Sequence, residues 1–187
     1  MRLPVLGWLF ALGVLVHNAE EALFLPQWSA SAGRWHPLVA AAEFQFAVAV
    51  LSLVVILCAW AASTGGARSL GAYLLTGYAL TMVINVFVPH VLASLALRTY
   101  APGTATALAF NLPLGGWLLW RAITEKFVQP SVFAWSGPLM VIFIAASIPL
   151  LFGAASYLPL HRGGELPYHL EMQQPNPSFQ RTAFGGR

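Results

Sequence analysis

Four side chains in the first part of the chain could perform chemistry together: His17, Glu20 and Glu21, followed by Glu43. All four lie in stretches apolar enough to enter a lipid bilayer, where an ionised side chain costs at least ~2.5–3.5 kcal/mol on insertion scales. The chain has 6 acidic residues, all of them Glu, and half of them fall in this region. This placement favours a functional site over a solvated charged surface.

The spacing of His17, Glu20 and Glu21 puts all three on one side of a helix. Residues three or four positions apart are neighbours on a helix surface, so the imidazole and both carboxylates project toward the same neighbouring helix. Imidazole and carboxylate groups suit Zn, Fe or Mn, and a carboxylate that is not a ligand can serve as a general base. We therefore predict that His17 and Glu21 bind a divalent transition metal, with Glu20 as the candidate catalytic base.

Two other interpretations of this cluster stay open. Neighbouring Glu side chains repel one another in a low dielectric, so without a metal one of them would be protonated, which fits a proton relay. The cluster could also be an interhelical hydrogen-bond network that only stabilises the fold. The residues alone thus leave an enzyme, an ion or proton carrier and a scaffold as alternatives.

The composition is that of an integral membrane protein. Hydrophobic residues make up 58% of the 187 residues and charged residues 8%, against about 25% charged residues in a soluble domain. The 9 Lys and Arg residues that give the net charge of +3 are scattered singly between apolar runs. They mark membrane faces rather than a nucleic-acid patch. We expect the lipid bilayer as a partner and no nucleic acid.

Five apolar stretches are long enough to cross the hydrocarbon as helices, which takes about 20 residues. Pro, Gly and Ser clusters separate them, so the loops are short and consecutive helices should be antiparallel neighbours. The sequence therefore predicts an all-α fold: a polytopic membrane helix bundle of about five transmembrane helices in residues 1–158. The predicted spans are Leu3–Leu25, Pro37–Ala62, Ser69–Leu97, Thr104–Thr124 and Val132–Leu158.

The two ends of the chain raise separate questions. Residues 159–187 are rich in Gly, Pro, Gln and Asn, and we predict that this C-terminal tail is disordered.

The N-terminal region resembles a signal peptide with its cleavage site, because Arg2 precedes an apolar run and small residues follow at 30–32. In a signal peptide, the apolar core is seldom followed by His-Asn-Ala-Glu-Glu and several more residues before the cleavage site. We therefore favour a first transmembrane span that stays in the protein.

Polar side chains of four predicted helices lie at similar depths below one membrane face. At a rise of ~1.5 Å per residue, His17, Glu43 and His90 lie ~13, ~9 and ~15 Å from the ends of their spans at that face. Asn111 lies ~13 Å from the same face. Because unrelated polar residues would not share a depth, we predict that Glu43 and His90 join His17 and Glu21 as metal ligands.

The pentapeptide at residues 17–21 resembles the signature of a family of predicted bacterial membrane proteins named for its HXXEE motif. Members follow it with a helix containing a segment similar to Glu-Phe-Gln-Phe-Ala at residues 43–47. A third helix then carries a His and leads into a Tyr-x-Pro-Gly turn, as His90 leads into residues 100–103. The resemblance covers roughly residues 3–124. It implies an integral membrane protein whose polar residues are suspected metal ligands, and it implies no established activity.

Basic residues at the span ends predict the orientation. With the N-terminus inside, the cytoplasmic face carries Arg2, Arg68, Arg121 and Lys126, and the outer face carries Arg34, Arg98 and Arg162. This distribution predicts a multi-pass membrane protein with a cytoplasmic N-terminus, and the resemblance implies that the membrane is the bacterial inner membrane. As its function we predict a metal-dependent enzyme acting on a lipid-soluble substrate. A proton or metal ion transporter and a structural or partner-binding membrane protein are the alternatives.

Overall fold

The computed structural model describes residues 1–31 and 39–158 of the chain. Within these ranges the fold is helical, and five helices pack into one bundle. The helices are α1 (Leu3–Ser31), α2 (Ala41–Gly65), α3 (Leu70–Leu97), α4 (104–124) and α5 (Pro130–Ser156). The predicted all-α membrane bundle of about five helices is confirmed. The predicted disordered tail lies outside the described residues.

Four of the described helices, α1, α2, α3 and α5, are long and apolar enough to cross a membrane. The fourth predicted span, 104–124, is helical, but it does not belong to these four. Asn111, Pro113 and Arg121 interrupt its apolar character, which explains the difference from the other four. Helix α4 instead packs against α1 and α3.

Helix α3 lies at the centre of the bundle, where it packs against α2, α4 and α5. Helix α1 contributes Leu6, Phe10 and Val14 to the core, and all three are fully buried. Because these residues recur every four positions, they form one face of α1, and the same face continues into His17 and Glu21. The apolar core therefore ends where the candidate ligands begin.

Helix α1 extends beyond its predicted end at Leu25 and continues through Pro26 to Ser31. Proline has no backbone N–H, so a helix that passes through Pro26 leaves the carbonyl of Ala22 without its usual partner. The side-chain amide of Gln45 on α2 donates to that carbonyl at 3.4 Å. A contact from the neighbouring helix thus compensates for the proline, as is common in membrane helices.

Helix α3 changes direction at Pro89. Its α-helical part, Leu70–Asn85, passes into a π-helical turn at Val86–Val91, and a short α-helical part, Leu92–Leu97, completes it. Val88 leaves the helical conformation, with φ −131° and ψ 111°, and the Val88–Pro89 peptide bond is cis. His90 follows directly and is only 2% exposed. Short π-helical turns within a helix are frequent at functional sites.

The connection from α3 to α4, which we call the 98–103 turn, is folded back on the end of α3. Arg98 and Gly103 bound it, and both have positive φ, 51° and 88°. The Ser94 hydroxyl on α3 accepts a hydrogen bond from the backbone N–H of Ala101 at 3.1 Å and lies 3.0 Å from the Thr104 hydroxyl. These contacts hold the turn against the last α-helical part of α3, Leu92–Leu97.

The contact between α2 and α3 depends on Gly71. A Cβ atom at this position would lie 2.3 Å from the backbone carbonyl carbon of Ala61, so the two helices would have to separate. We expect Gly71→Ala to lower the free energy of unfolding by about 1–3 kcal/mol, as overpacking does elsewhere. The matched control is Gly153→Ala on α5, where a Cβ atom meets nothing within 4 Å. Thermal unfolding in detergent measures both, and equal stability of the two variants would contradict this close packing.

Candidate metal centre

Two helices bring His17, Glu21 and His90 together. His17 and Glu21 are one turn apart on α1, and His90 comes from the π-helical turn of α3. The Nε2 atom of His17 lies 3.6 Å from Oε2 of Glu21, and the Nε2 atom of His90 lies 3.3 Å from Oε1 of the same carboxylate. The two imidazole rings meet edge to face, with centroids 4.8 Å apart. Each oxygen of Glu21 therefore faces one imidazole.

These three residues, which we call the candidate metal centre, could hold a metal ion. One ligand atom from each lies within 4.8 Å of the others. Ligands at ~2.0–2.2 Å from a tetrahedral zinc ion are roughly 3.4 Å from one another, so small side-chain movements would suffice to close the site. Two imidazoles and one carboxylate are also the ligand set of several catalytic zinc sites.

The backbone of the 98–103 turn orients the His17 ring. Its Nδ1 atom lies 3.2 Å from the carbonyl oxygen of Gly103 and 3.2 Å from the hydroxyl oxygen of Thr106. Because a carbonyl oxygen only accepts, Nδ1 carries the proton in this contact, and Nε2 of the neutral ring presents its lone pair to the site. Metal-binding histidines are oriented in this way by a hydrogen bond from the other ring nitrogen.

His90 supplies a second nitrogen that needs a partner. Its Nε2 atom is buried and lies 3.3 Å from Oε1 of Glu21, but it forms no well-aligned hydrogen bond among residues 1–31 and 39–158. An unsatisfied buried polar group costs about 1–3 kcal/mol. A cation held between Nε2 and the Glu21 carboxylate would remove this cost, so the residues present fit a bound metal.

Glu20 contacts the 98–103 turn and the start of α4 rather than the two imidazoles. Its Oε1 atom accepts hydrogen bonds from the Tyr100 hydroxyl and, at 3.0 Å, from the backbone N–H of Gly103. Its Oε2 atom accepts one from the Thr106 hydroxyl at 2.6 Å. Partial burial and the hydrogen bond to Glu20 raise the pKa of Tyr100, so its phenol stays a donor. This geometry gives Glu20 a positioning task, and its role as a catalytic base stays a prediction.

Gly103 is a site residue that the sequence interpretation missed. A Cβ atom there would lie 2.6 Å from Cε1 of His90, 2.9 Å from Cε1 of His17 and 3.0 Å from Cγ of Glu21. With φ 88°, the position also favours glycine on backbone grounds alone. The Pro-Gly pair in the Tyr-x-Pro-Gly turn was the available signal, because it indicates a tight turn with a glycine in a left-handed conformation.

Two residues of the predicted polar layer lie apart from the candidate metal centre. Glu43 is half-buried in the first turn of α2 and is not part of the three-residue group found among the described residues. Asn111 is fully buried on α4, and neither atom of its amide has a hydrogen-bond partner within the described ranges. A ligand role for Glu43 stays a prediction.

Cavities adjoin the candidate metal centre on two sides. One, of about 260 Å³, is lined by His17 and Glu21 and extends between α3 and α5. The other, of about 60 Å³, lies under the 98–103 turn and is lined by Glu21, His90 and Pro102. Glu21 contributes to the walls of both, so each cavity reaches the candidate metal centre.

Comparison with known proteins gives two matches. The family model described as "Protein of unknown function with HXXEE motif" matches residues 8–118. The "Uncharacterized protein YrkK" of Bacillus subtilis (strain 168) is 30% identical over 143 residues, which are 76% of this chain and 90% of that protein. No solved structure matches. The candidate metal centre, Glu20 and the 98–103 turn all lie within the range matched by the family.

The close approach of Gly103 to the three ligands predicts the effect of adding one methyl group. Gly103→Ala should displace both imidazoles and abolish stoichiometric metal binding. Gly66→Ala is the matched control, because Gly66 also has positive φ, 72°, but a Cβ atom there meets nothing within 4 Å. Both variants carry a backbone strain of roughly 1–2 kcal/mol, so stability should fall in both. Metal content of the purified proteins separates them, and metal retained by Gly103→Ala would contradict the described geometry.

Proposed function

The chain belongs to the family of proteins of unknown function named for the HXXEE motif, and because two of the three candidate ligands lie in that motif, we propose a metal-dependent membrane enzyme. His17, Glu21 and His90 bind a divalent transition metal, and the substrate is lipid-soluble. The observation that carries this proposal is the buried Nε2 atom of His90, which has no hydrogen-bond partner among the described residues and lies 3.3 Å from the Glu21 carboxylate.

The ligand set supports zinc, iron or manganese over a hard cation such as calcium. Imidazole nitrogens suit transition metals, whereas calcium and magnesium prefer sites built from oxygen atoms alone. Three protein ligands leave at least one coordination position open, as catalytic zinc and non-haem iron sites do. A metal in such a site activates a water molecule or polarises an oxygen of the substrate.

The surroundings of the candidate metal centre support an apolar substrate. The cavity of about 260 Å³ that reaches His17 and Glu21 has walls that are mainly aliphatic, among them Met82 and Ile144. Ligand pockets are typically lined in this way, with a few polar groups that fix orientation. A water-soluble substrate would find few partners on these walls.

The apolar core supports an enzyme over a transporter. A transporter needs polar groups that lead to both membrane faces. On α1 the face beyond His17 is formed by Val14, Phe10 and Leu6, which are fully buried in the core. A structural role alone would explain the hydrogen bonds of Glu20, but it gives no reason for two imidazoles to converge on the Glu21 carboxylate without a hydrogen bond from the Nε2 atom of His90.

The two neighbouring carboxylates should respond differently to substitution. Glu21→Gln removes a charged ligand and should abolish stoichiometric metal binding. Glu20→Gln alters a group that orients the site, so metal should still bind at saturation, with affinity about 10–100-fold weaker. Elemental analysis and metal titration of detergent-purified protein measure both effects.

Glu125→Gln is the matched control for these substitutions, because Glu125 pairs with Arg121 on α4 and should leave metal binding unchanged. Equal and complete loss of metal from the Glu20→Gln and Glu21→Gln variants would contradict the division of roles. Absence of metal from the unsubstituted protein, even after titration with zinc, iron and manganese, would contradict the proposed function itself.

The proposal includes a place and an orientation: the bacterial inner membrane, with the N-terminus in the cytoplasm. Arg2, Arg68, Arg121 and Lys126 support this orientation. The candidate metal centre would then lie toward the outer face, because α1 runs outward from the N-terminus. Metal would be taken up from that side.

Two exposed threonines at opposite ends of α3 test the orientation. Thr64 precedes α3 at one end of the bundle, and Thr99 follows it at the other. In a Cys58→Ser background, an impermeant thiol reagent applied to intact cells should label Thr99→Cys and leave Thr64→Cys unlabelled. Permeabilised cells provide the control in which both label. The reverse pattern in intact cells would mean that the candidate metal centre faces the cytoplasm.

A further inference from the structure

The cavity of about 260 Å³ has a polar end and an apolar end. The polar end is formed by His17 and Glu21 of the candidate metal centre, together with Asn18 and Asn85. The remaining walls are mainly aliphatic side chains of α3 and α5. A molecule that fills this space must therefore carry a polar group at one end and an apolar body at the other.

The apolar end of the cavity faces the lipid. Its lining includes Ile84 and Val88 on α3 and Ile148 on α5, and these three side chains are 42%, 57% and 37% exposed. In a membrane, exposed aliphatic side chains at mid-helix contact acyl chains rather than water. The cavity thus opens sideways between α3 and α5, and a ligand would enter from the bilayer.

Asn85 supplies an unused hydrogen-bond acceptor at the polar end. Its amide oxygen is buried and forms no well-aligned hydrogen bond within residues 1–31 and 39–158, although the Asn85 side chain is within hydrogen-bonding reach of the His17 imidazole. Asn18, by contrast, donates to the Ser52 hydroxyl at 2.9 Å. A buried acceptor without a donor strongly favours a ligand that brings one, because the unpaired oxygen costs free energy.

We infer that this cavity binds a single-chain amphiphile whose head carries an O–H or N–H donor, with the long-chain primary alcohol as its simplest form. The head donates to the Asn85 oxygen beside the candidate metal centre, and the tail leaves between α3 and α5 into the lipid. Asn85 is thereby the residue that determines specificity for the head. The inference rests on the proposed function, since it names the class of substrate that the metal site would act on.

The size of the cavity agrees with this mode of binding. Pockets that enclose a drug-sized ligand measure about 300–1,000 Å³, so about 260 Å³ holds a head and the first part of a chain. A larger groove of about 540 Å³ lies between α2, α3 and α5 near Cys58 and Trp135. That groove does not reach the candidate metal centre, and an acyl chain of any lipid would fit it.

The experiment is photo-crosslinking of the full chain in lipid nanodiscs. The probe is a long-chain primary alcohol with a diazirine next to the hydroxyl-bearing carbon, and the comparison probe is the alkane of the same length with the diazirine at the same position. Mass spectrometry of the peptides should locate the alcohol around Asn85, with much weaker labelling there by the alkane. Excess unlabelled alcohol should compete with the probe.

Three variants give the inference its sharpest test. Ala145→Phe fills the cavity and should reduce labelling by the alcohol to the level of the alkane. Ala146→Phe is the matched control, because Ala146 is an exposed neighbour on the same helix, and labelling should be unchanged. Asn85→Leu keeps the branched shape and the number of side-chain heavy atoms but removes the acceptor, so the alcohol should bind roughly two- to tenfold more weakly while labelling by the alkane stays the same.

Three results would overturn the inference. They are equal labelling around Asn85 by both probes, labelling by the alcohol that Ala145→Phe leaves unchanged, and labelling concentrated in the groove near Cys58. Metal content of the same samples separates this inference from the proposed function. Protein that prefers the alcohol but binds no metal contradicts the function, and protein that binds metal without preferring the alcohol contradicts the inference alone.

Discussion

The carboxylate of Glu20 holds the 98–103 turn against α1, and the geometry of the candidate metal centre depends on this contact. By accepting the N–H of Gly103, Glu20 holds in place the residue whose own carbonyl contacts Nδ1 of His17. The same contact keeps Gly103 close to the Glu21 side chain. Two adjacent acidic residues thus have separate tasks, because one fastens the loop that shapes the site and the other faces the two imidazoles. The contact between His17 and the Gly103 carbonyl is buried, so its loss would be costly.

The helices could be predicted from the sequence because hydropathy and length are local properties. The apolar pattern predicts all five, but the predicted end of α1 at Leu25 is too early, because a proline such as Pro26 usually marks the end of a helix. Whether a proline ends a helix in a membrane depends on what satisfies the freed carbonyl, and here the Gln45 amide of the next helix does so. That contact joins residues 23 positions apart, and no local pattern contains it.

The candidate site could be predicted only as far as periodicity and depth allow. Helical spacing brought His17 and Glu21 together, and depth along the helices pointed to His90. Depth says nothing about the direction in which a side chain leaves its helix, which is why Glu43 shares the predicted layer without belonging to the group found in the described structure. The contact of Gly103 with His17 and that of Thr106 with Glu20 depend on the path of the chain from α3 into α4. Tertiary contacts set this path, so no local sequence pattern predicts it.

The cavities on the two sides of Glu21 differ in what can reach them. The larger one borders α3 and α5, whose outer surfaces meet acyl chains, whereas the smaller one lies beneath a connecting turn at the end of the bundle. A carboxylate that borders both stands at a boundary between two immiscible phases. An apolar molecule and a water molecule can therefore reach the same carboxylate by separate routes. The apolar molecule comes from the lipid between α3 and α5, and the water comes from the end of the bundle.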